Sequence, residues 1–352
     1  MAFSFNFGGD DIDQTVDEDI PILDAPTSEE ATTTTTSQIP APVNVLQHDL
    51  RQLYETLPDR LCYSTAHIVS PTGKQILLPR RELFDIRVQL MSEASADNDN
   101  DTTLSQLQST DLAPNVYEGG FKTWECSVDL SSLLLDRGPR KDIDELVRCD
   151  GVVELGAGSA LPTLTLFQHC LKNGIPQTFT LTDYNASVLR LVTLPNLILT
   201  WAASTSPPLI DLSVEPSGDL ENIPALLPEF LAGLAASRIQ LSFISGPWGE
   251  TLASLIPESA PDMGSLILAS ETIYSPASTT AFVDLLIHLL RRTKMAKAIV
   301  AAKRFYFGVG GSVDHLKEVC AEKGAVAYEV ENAGVPGMDS GVGRALVEVQ
   351  MY

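Results

Sequence analysis

A glycine-rich turn between a predicted strand and a predicted helix is the first feature of this 352-residue chain that could do chemistry. In VVELGAGSALP (152–162), an apolar strand runs directly into Gly156 and Gly158, and a helical pattern follows. Glycines at such a turn let the backbone come close to a ligand, which then faces the N–H groups of the helix. The spacing is Gly-x-Gly-x-Ala rather than the dinucleotide pattern GxGxxG, and many lone glycine turns are simply tight turns.

An acidic residue ends the next predicted strand. Asp183 follows Gly158 by 25 residues, and a carboxylate at that strand end can accept hydrogen bonds from both hydroxyls of an adenosine ribose. The chain has no GKS or GKT triphosphate motif, so a ligand with a nucleoside and no phosphates is favoured. S-adenosylmethionine is such a ligand, and aromatic faces and carboxylates stabilise its sulfonium cation.

The elements that would position these residues alternate between strands and helices from about residue 115. Apolar runs of strand length lie at 151–155, 178–182, 239–244, 265–269, 298–302, 325–330 and 344–351, and helical patterns lie at 160–172, 185–194, 277–295 and 312–323. Short apolar strands separated by helices indicate a mainly parallel sheet covered on both faces. The last two strands have no helix between them and could pair as a hairpin, while 203–237 reads as an insertion. The expected fold class is α/β, with a seven-stranded, doubly wound sheet and an N-terminal extension.

Acidic residues are concentrated in the first third of the chain. The net charge is -23, with ten carboxylates and no Lys or Arg in residues 1–50, and six carboxylates and no Lys or Arg in residues 91–120. These polar tracts predict a partly disordered extension over 1–114, with short ordered segments at 3–13 and 78–93, the second an amphipathic helix. A folded domain over 115–352 would follow. A charge this negative argues against direct nucleic-acid binding and favours a basic partner.

The cysteines and histidines suggest neither a metal site nor a disulfide framework. The five cysteines have no paired spacing, and the five histidines have no metal-ligand spacing. The first fifty residues lack the basic region of a signal peptide, and no apolar run approaches the roughly 18 residues of a membrane helix. We therefore expect an intracellular chain in a reducing compartment, with no metal and no membrane contact.

Six segments of the chain resemble one known enzyme family. They are YEGGFKTWECSVDL (117–130), VVELGAGSALP (152–162), DYNASVLRLVTLPNL (183–197), FISGPW (243–248), SETIYSP (270–276) and AKRFYFGVGG (302–311). Together they look like the seven-stranded, Rossmann-like class I methyltransferases that depend on S-adenosylmethionine. More narrowly, they look like the protein-histidine methyltransferases that modify a large-subunit ribosomal protein. TLPN, SETIY and YFGVGG are more specific than the glycine turn, and Ala160 departs from the family where many relatives have a third glycine.

The resemblance implies that 115–352 is the methyltransferase domain and that it contains a set of cofactor-binding residues. These are Thr123, Trp124, Glu125, Cys126, Ser127, Gly156, Gly158, Asp183, Tyr184, Asn185, Gly246, Pro247, Trp248 and Ser270. In this interpretation Asp183 holds the ribose, Trp248 covers the adenine and Trp124 lines the sulfonium pocket. Ordinary core packing is the alternative for both tryptophans.

The resemblance also implies two catalytic residues, Glu271 and Tyr274, just after the fourth predicted strand. A carboxylate that accepts the N–H of one imidazole nitrogen leaves the lone pair of the other nitrogen free to take the methyl group. Related lysine methyltransferases carry a similar acid-x-x-Tyr pattern, and a helix cap is the alternative role for Glu271. Tyr306 and Phe307 are expected to wall the substrate slot.

The function implied is protein-histidine N-methylation of a basic large-subunit ribosomal protein, with S-adenosylmethionine converted to S-adenosylhomocysteine. We expect a monomer in the cytoplasm and nucleus. Two alternatives stay open: a protein-lysine N-methyltransferase of the same fold, and a non-catalytic ribosome assembly factor.

Overall fold

The computed structural model describes residues 43–94, 119–136, 143–260, 262–330, 334–338 and 341–352. Its strands, numbered in chain order, are β1 (Leu46–His48), β2 (Arg60–Val69), β3 (Gln75–Arg81), β4 (Gly151–Leu155), β5 (Gln177–Asp183), β6 (Ser217–Glu221), β7 (Ile239–Ser245), β8 (Ser265–Ser270), β9 (Lys297–Lys303), β10 (Ala325–Glu329) and β11 (Arg344–Met351). Its α-helices are Leu50–Glu55, Leu83–Ala94, Glu125–Leu135, Ile143–Leu146, Leu161–Asn173, Ala186–Val188, Leu194–Ala202, Ile223–Ala236, Glu250–Leu255, Pro276–Leu290 and Val313–Glu322, with a π-helical turn at Leu189–Thr193. Within these described ranges, no helix is both long and apolar enough to cross a membrane.

Five parallel strands form the centre of the main sheet. β7, β5, β4, β8 and β9 lie side by side in that order. β11 pairs antiparallel with both β9 and β10, which confirms the hairpin expected for the last two strands. Val152, Val153 and Leu155 of β4 are all buried, as expected for a strand whose two faces are covered by helices.

In the part of the chain that the structure describes, the main sheet has eight strands, so the expected number of seven is wrong. The additional strand is β1, which pairs antiparallel with β7 and places Leu46 opposite Ser245. Its three residues have no apolar alternation, and Leu46 is exposed. Backbone hydrogen bonds to the edge of β7, rather than burial of side chains, therefore account for this strand, and hydrophobic patterning does not reveal it.

A second, three-stranded sheet consists of β2 paired antiparallel with β3 on one side and β6 on the other. The helix predicted over 78–93 is correct only from Leu83 onward, because Gln75–Arg81 pairs along its whole length with β2. The predicted insertion 203–237 supplies β6, so it completes a sheet begun by residues far upstream.

Residues Val43–Tyr352 form one compact unit. The part of the predicted extension that the structure describes, 43–94, therefore packs in the same unit as the predicted methyltransferase domain. The segment predicted to be ordered at 3–13 lies outside the described residues.

Arg81, the last residue of β3, connects the second sheet to the helices of the main core. Its buried guanidinium donates hydrogen bonds to Asp85 (2.6 Å), to the carbonyl of Leu191 (2.9 Å) and to Gln89 (2.8 Å). A buried guanidinium is tolerated only when its donors are paired in this way. The network therefore fixes the helix Leu83–Ala94 against the π-helical turn.

A buried carboxyl group lies on β4 beneath the glycine turn. Glu154 is 0% exposed, and its Oε2 accepts a hydrogen bond from the backbone N–H of Thr163 at 3.0 Å. Its Oε1 has no hydrogen-bond partner among the described residues. Burial raises the pKa of Glu154 to about 8, so the group is mostly protonated at neutral pH.

We expect the variant Glu154→Gln to become more stable relative to the unchanged chain as the pH rises from 4.5 to about 8. In that window the folded chain keeps a proton that the unfolded chain has lost. The free energy of unfolding of the unchanged chain therefore falls by up to about 1.4 kcal/mol per pH unit because of this group. Glutamine does not titrate. Urea unfolding of both proteins at several pH values measures the difference, and a difference independent of pH would contradict the assignment.

Candidate active site

A cleft opens at the edge of the main sheet where the carboxyl ends of β4, β5, β8 and β9 meet. It encloses about 790 Å³, including its open mouth. Parallel sheets bind ligands at this edge. The lining residues are Gly119, Gly120, Lys122, Trp124, Ser127, Gly156, Ala157, Gly158, Ser159, Asp183, Tyr184, Trp248, Ser270, Glu271, Thr272, Tyr274, Lys303 and Tyr306.

The turn after β4 takes a left-handed backbone at three positions. The φ angle is +70° at Gly156, +51° at Gly158 and +56° at Ala160. A Cβ atom on Gly156 would lie 3.0 Å from Cγ2 of Thr272, and one on Gly158 would lie 3.3 Å from the carbonyl oxygen of Gly120. Both positions therefore require glycine, because the backbone is left-handed and because a Cβ atom would be crowded by its neighbours. Ala160 adopts the same conformation at some cost in strain.

Three side chains hold this turn from its buried side. The carboxylate of Asp183 accepts a hydrogen bond from the N–H of Gly158 at 3.0 Å. The hydroxyl of Thr193 donates to the carbonyl of Gly158 at 2.8 Å, and the amide of Asn196 donates to the carbonyl of Ser159 at 2.9 Å. Thr193 and Asn196 are the first and last residues of the TLPN motif, which therefore supports the glycine turn.

Asn196 also connects the turn to the second sheet. Its Oδ1 accepts a hydrogen bond from the backbone N–H of Arg81 at 2.7 Å, while its amide nitrogen holds Ser159. The residue is fully buried, so neither bond can be replaced by bulk water without opening the structure.

We expect Asn196→Ala to weaken binding of S-adenosylhomocysteine at least fivefold, because the freed carbonyl of Ser159 loosens the turn that faces the ligand. Each unpaired buried group also destabilises the fold by about 1–3 kcal/mol. Gln168→Ala is the matched control, since the Gln168 amide donates to the carbonyl of Leu77 at 3.1 Å, away from the turn. Calorimetric titration should show normal affinity for the control. Equal affinity losses in both variants would mean that Asn196 acts only through stability.

Asp183 lies at the end of β5 beside Gly158, as the sequence predicts. It is 6% exposed, and its second oxygen accepts a hydrogen bond from the N–H of Asn185 at 3.1 Å. Burial raises the pKa of Asp183 to about 6, although the backbone N–H groups oppose this rise. The structure thus brings the acid to the cleft, and its contact with a ribose stays a prediction.

We expect affinity for S-adenosylhomocysteine to fall as the pH drops below about 6, where Asp183 becomes protonated and loses acceptor capacity. Asp183→Asn should bind at least tenfold more weakly at pH 7.5 and should lose this dependence on pH. Calorimetry between pH 5 and 8 on both proteins tests the prediction. A pH profile that is the same in the variant would assign the titration to another group.

Two tryptophans form part of the cleft wall. The ring of Trp248 packs edge-to-face against Phe282, with ring centres 5.5 Å apart and planes at 64°. Trp124 precedes the helix Glu125–Leu135, and its indole N–H donates to the carbonyl of Gly119 at 2.9 Å. Both side chains therefore pack and line the cleft at once, so the two predicted roles do not exclude each other.

Glu271 follows β8 with a φ angle of +57°, which is rare for a residue other than glycine. Its N–H donates to the carbonyl of Ala301 at 3.0 Å, which holds this conformation. Its Oε2 accepts a hydrogen bond from the hydroxyl of Tyr306 at 2.6 Å. Its Oε1 is buried and has no hydrogen-bond partner among the described residues, and Nζ of Lys303 lies 3.8 Å from it. Strained backbone of this kind concentrates at functional sites.

Glu271 is not the cap of the following helix, so that alternative is wrong. The helix Pro276–Leu290 is capped by Ser275, whose hydroxyl accepts a hydrogen bond from the N–H of Ser278 in a capping box. The carboxylate of Glu271 therefore belongs to the cleft wall and not to the start of this helix.

Tyr274 lines the cleft as predicted, but the tyrosine that contacts Glu271 is Tyr306, in the loop after β9. Burial, with the Glu271 carboxylate, raises the pKa of Tyr306 well above its ordinary value, so the phenol stays a hydrogen-bond donor. Phe307 is 76% exposed and does not line the cleft.

The other predicted cofactor residues divide into two groups. Ser127, Tyr184 and Ser270 line the cleft. The predicted residues that do not line it are Thr123, Glu125, Cys126, Asn185, Gly246 and Pro247. Gly246 supports the wall from outside, since its N–H donates to the carbonyl of Asp183 at 3.0 Å. Burial, with the nearby carboxylate of Glu271, raises the pKa of the Cys126 thiol well above its ordinary value.

Sequence reasoning missed several lining residues, of which Lys303 and Thr272 are the most informative. Lys303 is the last residue of β9, so the rule that residues at the ends of parallel strands face the ligand could have found it. Thr272 lies against the glycine turn, a contact that no local pattern encodes. No cluster of His, Cys, Asp or Glu in the described ranges could hold a metal ion.

Comparison with known proteins gives clear relatives in sequence. The chain is 40% identical over 273 residues to histidine protein methyltransferase 1 of Schizosaccharomyces pombe, covering 77% of this chain and 75% of that protein. It is 36% identical over 355 residues to the protein of the same name from Saccharomyces cerevisiae, covering 92% of this chain and 91% of that protein. No protein-family model matches the chain.

Solved structures align more loosely. A TehB-like SAM-dependent methyltransferase from Corynebacterium glutamicum aligns with a TM-score of 0.34 and 11% identity, over 64% of this chain and 88% of that chain. The DszA carbon methyltransferase aligns with a TM-score of 0.38 and 12% identity, over 76% of this chain and 66% of that chain.

The glycine turn, the acid beside it and the aromatic wall suit a nucleoside that carries a cation and no phosphates. The chain is an S-adenosylmethionine-dependent methyltransferase, and S-adenosylmethionine is its methyl donor. Because it shares 40% and 36% identity with the two yeast proteins over most of their length, it belongs to the histidine protein methyltransferase 1 family.

Proposed function

We propose that this S-adenosylmethionine-dependent protein-histidine methyltransferase modifies one imidazole nitrogen of a histidine in a large-subunit ribosomal protein. The observation that supports the acceptor chemistry is the unpaired oxygen of Glu271. Its Oε1 is buried at the edge of the cleft without a hydrogen-bond partner among the described residues, while Oε2 is engaged by Tyr306. Buried polar atoms are normally paired, so an unpaired acceptor in a cleft suits a ligand that brings an N–H group.

A histidine side chain supplies that group. The neutral imidazole has one N–H and one nitrogen lone pair, and at cytosolic pH most histidines are neutral. If the N–H donates to Oε1 of Glu271, the lone pair points away from the carboxylate and is available to attack. Orientation, rather than removal of a proton, is then the main task of the residue.

When bound, S-adenosylmethionine supplies an electrophilic methyl group and leaves as S-adenosylhomocysteine. The imidazole ring becomes a cation as its nitrogen takes the methyl group, and Glu271 lies where it can stabilise that charge. The proton on the other ring nitrogen is subsequently lost to solvent, which leaves neutral methylhistidine. The hydroxyl of Tyr306 keeps Glu271 in place by donating a hydrogen bond to its Oε2. The same hydroxyl oxygen accepts a hydrogen bond from the backbone N–H of Lys303 at 3.2 Å, which holds the tyrosine in turn.

Charge and resemblance support the ribosomal substrate. The chain has a net charge of -23, and a free ribosomal protein is strongly basic, so the two attract each other at long range. The TLPN, SETIY and YFGVGG motifs resemble the group that modifies a large-subunit ribosomal protein. A monomeric enzyme in the cytoplasm and nucleus would meet such a protein before or during assembly.

We expect Glu271→Gln to lower the turnover of methylhistidine formation at least tenfold and to change affinity for S-adenosylhomocysteine less than twofold. Glutamine keeps the size and one acceptor oxygen, but it cannot offset the imidazolium charge that develops during transfer. Glu229→Gln, an exposed carboxylate on the helix Ile223–Ala236, is the matched control. Turnover of Glu271→Gln within twofold of the unchanged enzyme would remove Glu271 from the mechanism.

Mass spectrometry of ribosomal proteins from cells that lack this chain tests the substrate. Loss of one methylhistidine in a large-subunit protein, restored by the chain and not by Glu271→Gln, is the expected result. Loss of a methyllysine would favour the lysine alternative. Normal methylation together with defective ribosomes that Glu271→Gln rescues would favour the assembly factor.

A further inference from the structure

Lys303 places a cation inside the cleft, next to the carboxylate assigned to the acceptor. Its Nζ lies 3.8 Å from Oε1 of Glu271. The same nitrogen lies 5.1 Å from the ring centre of Trp124 and 5.9 Å from that of Tyr306, so two aromatic faces help to hold it. The Lys303 side chain is only 24% exposed, which limits the screening of its charge by water.

The carboxylates that line the described cleft are Asp183 and Glu271. Asp183 accepts hydrogen bonds from the backbone N–H groups of Gly158 and Asn185 and holds the glycine turn. Glu271 therefore carries the negative charge on the β8 and β9 side of the cleft, and Lys303 offsets part of it. A side chain that enters as a cation would meet this ammonium on binding, whereas an imidazole enters neutral and becomes a cation only during transfer.

The geometry points to Lys303 as a specificity-determining residue that restricts the acceptor to neutral side chains. Its ammonium offsets part of the charge of Glu271 but leaves the hydrogen-bonding capacity of Oε1 to a neutral N–H donor such as imidazole. This inference rests on the proposed function, because it takes Glu271 to face the acceptor.

The two candidate acceptors, histidine and lysine, differ in the charge with which they enter the cleft. An unperturbed histidine has a pKa near 6.5 and is mostly neutral at cytosolic pH, whereas a lysine has a pKa near 10.4 and arrives as a cation. Like charges a few ångströms apart in a partly buried site repel strongly. The sulfonium of the donor is the same for both acceptors, so its charge cancels in the comparison. Specificity is then partly repulsion of the wrong side chain.

The test compares the acceptor choice of variants at Lys303. Total protein from cells that lack this chain is incubated with radiolabelled S-adenosylmethionine and enzyme, and labelled methylhistidine and methyllysine are separated after hydrolysis. We expect Lys303→Met and Lys303→Gln to raise the ratio of methyllysine to methylhistidine at least tenfold. Lys303→Arg keeps the charge and should stay within twofold of the unchanged enzyme. This ratio does not depend on how much enzyme is folded.

Lys297→Met is the matched control. Lys297 begins the same strand, is also 24% exposed at its side chain, and pairs with Glu145 at 3.7 Å, but it lies at the opposite end of β9 from the cleft. It should leave the ratio unchanged. Calorimetry with S-adenosylhomocysteine on every variant reports whether the cofactor half of the site is intact.

The failures of the two proposals are distinguishable. If the unchanged enzyme labels only lysine or labels nothing, the proposed function fails. If the unchanged enzyme labels histidine and both uncharged variants still label only histidine, the role of Lys303 is overturned. Variants that lose all transfer, or that no longer bind S-adenosylhomocysteine, would also overturn it, because Lys303 would then serve the reaction or the cofactor rather than the choice of acceptor.

Discussion

The hydrogen bond from the N–H of Gly158 to the carboxylate of Asp183 joins the ends of β4 and β5, and the part of the cleft that the glycine turn forms depends on it. These two strands are neighbours in the main sheet, so the bond fixes the glycine turn and the acid relative to each other. Thr193 and Asn196 hold the carbonyls of the same turn from behind. With its polar groups engaged on the buried side, the turn can keep its left-handed conformation and present its other face to a ligand.

The other half of the cleft is organised by β8 and β9. Glu271 follows β8 in a strained conformation held by the carbonyl of Ala301, and Lys303 and Tyr306 approach its carboxylate from the end of β9 and the loop after it. Oε2 of this carboxylate accepts the hydrogen bond from Tyr306, and the ammonium of Lys303 lies beside Oε1. The two carboxylates that line the described cleft therefore lie in different environments. Asp183 accepts hydrogen bonds from backbone N–H groups, whereas Glu271 accepts one from the phenol of Tyr306 and lies beside the ammonium of Lys303.

Residues outside the predicted methyltransferase domain also support the site. Arg81 of the second sheet donates its backbone N–H to Asn196, which in turn holds Ser159 of the glycine turn. The guanidinium of Arg81 is buried and each of its three nitrogens donates a hydrogen bond, which holds this connection in place. The segment from Val43 to Ala94 is therefore a structural part of the catalytic unit and not a separate appendage.

The sequence by itself determined the parallel sheet and the meeting of the glycine turn with the acid at the end of the next strand. The strand over 151–155 is observed with the predicted bounds, and Gly156, Gly158 and Asp183 meet as expected, because apolar strands and the residues at their ends are local patterns. The eighth strand, β1, was not predictable, since its three residues form a strand only by pairing with the edge of β7. Only the tertiary structure decided that Tyr306 and Lys303, rather than Tyr274, contact Glu271. Those contacts join residues more than 30 positions apart, and their geometry depends on how two neighbouring strand ends are aligned, which side-chain periodicity does not specify.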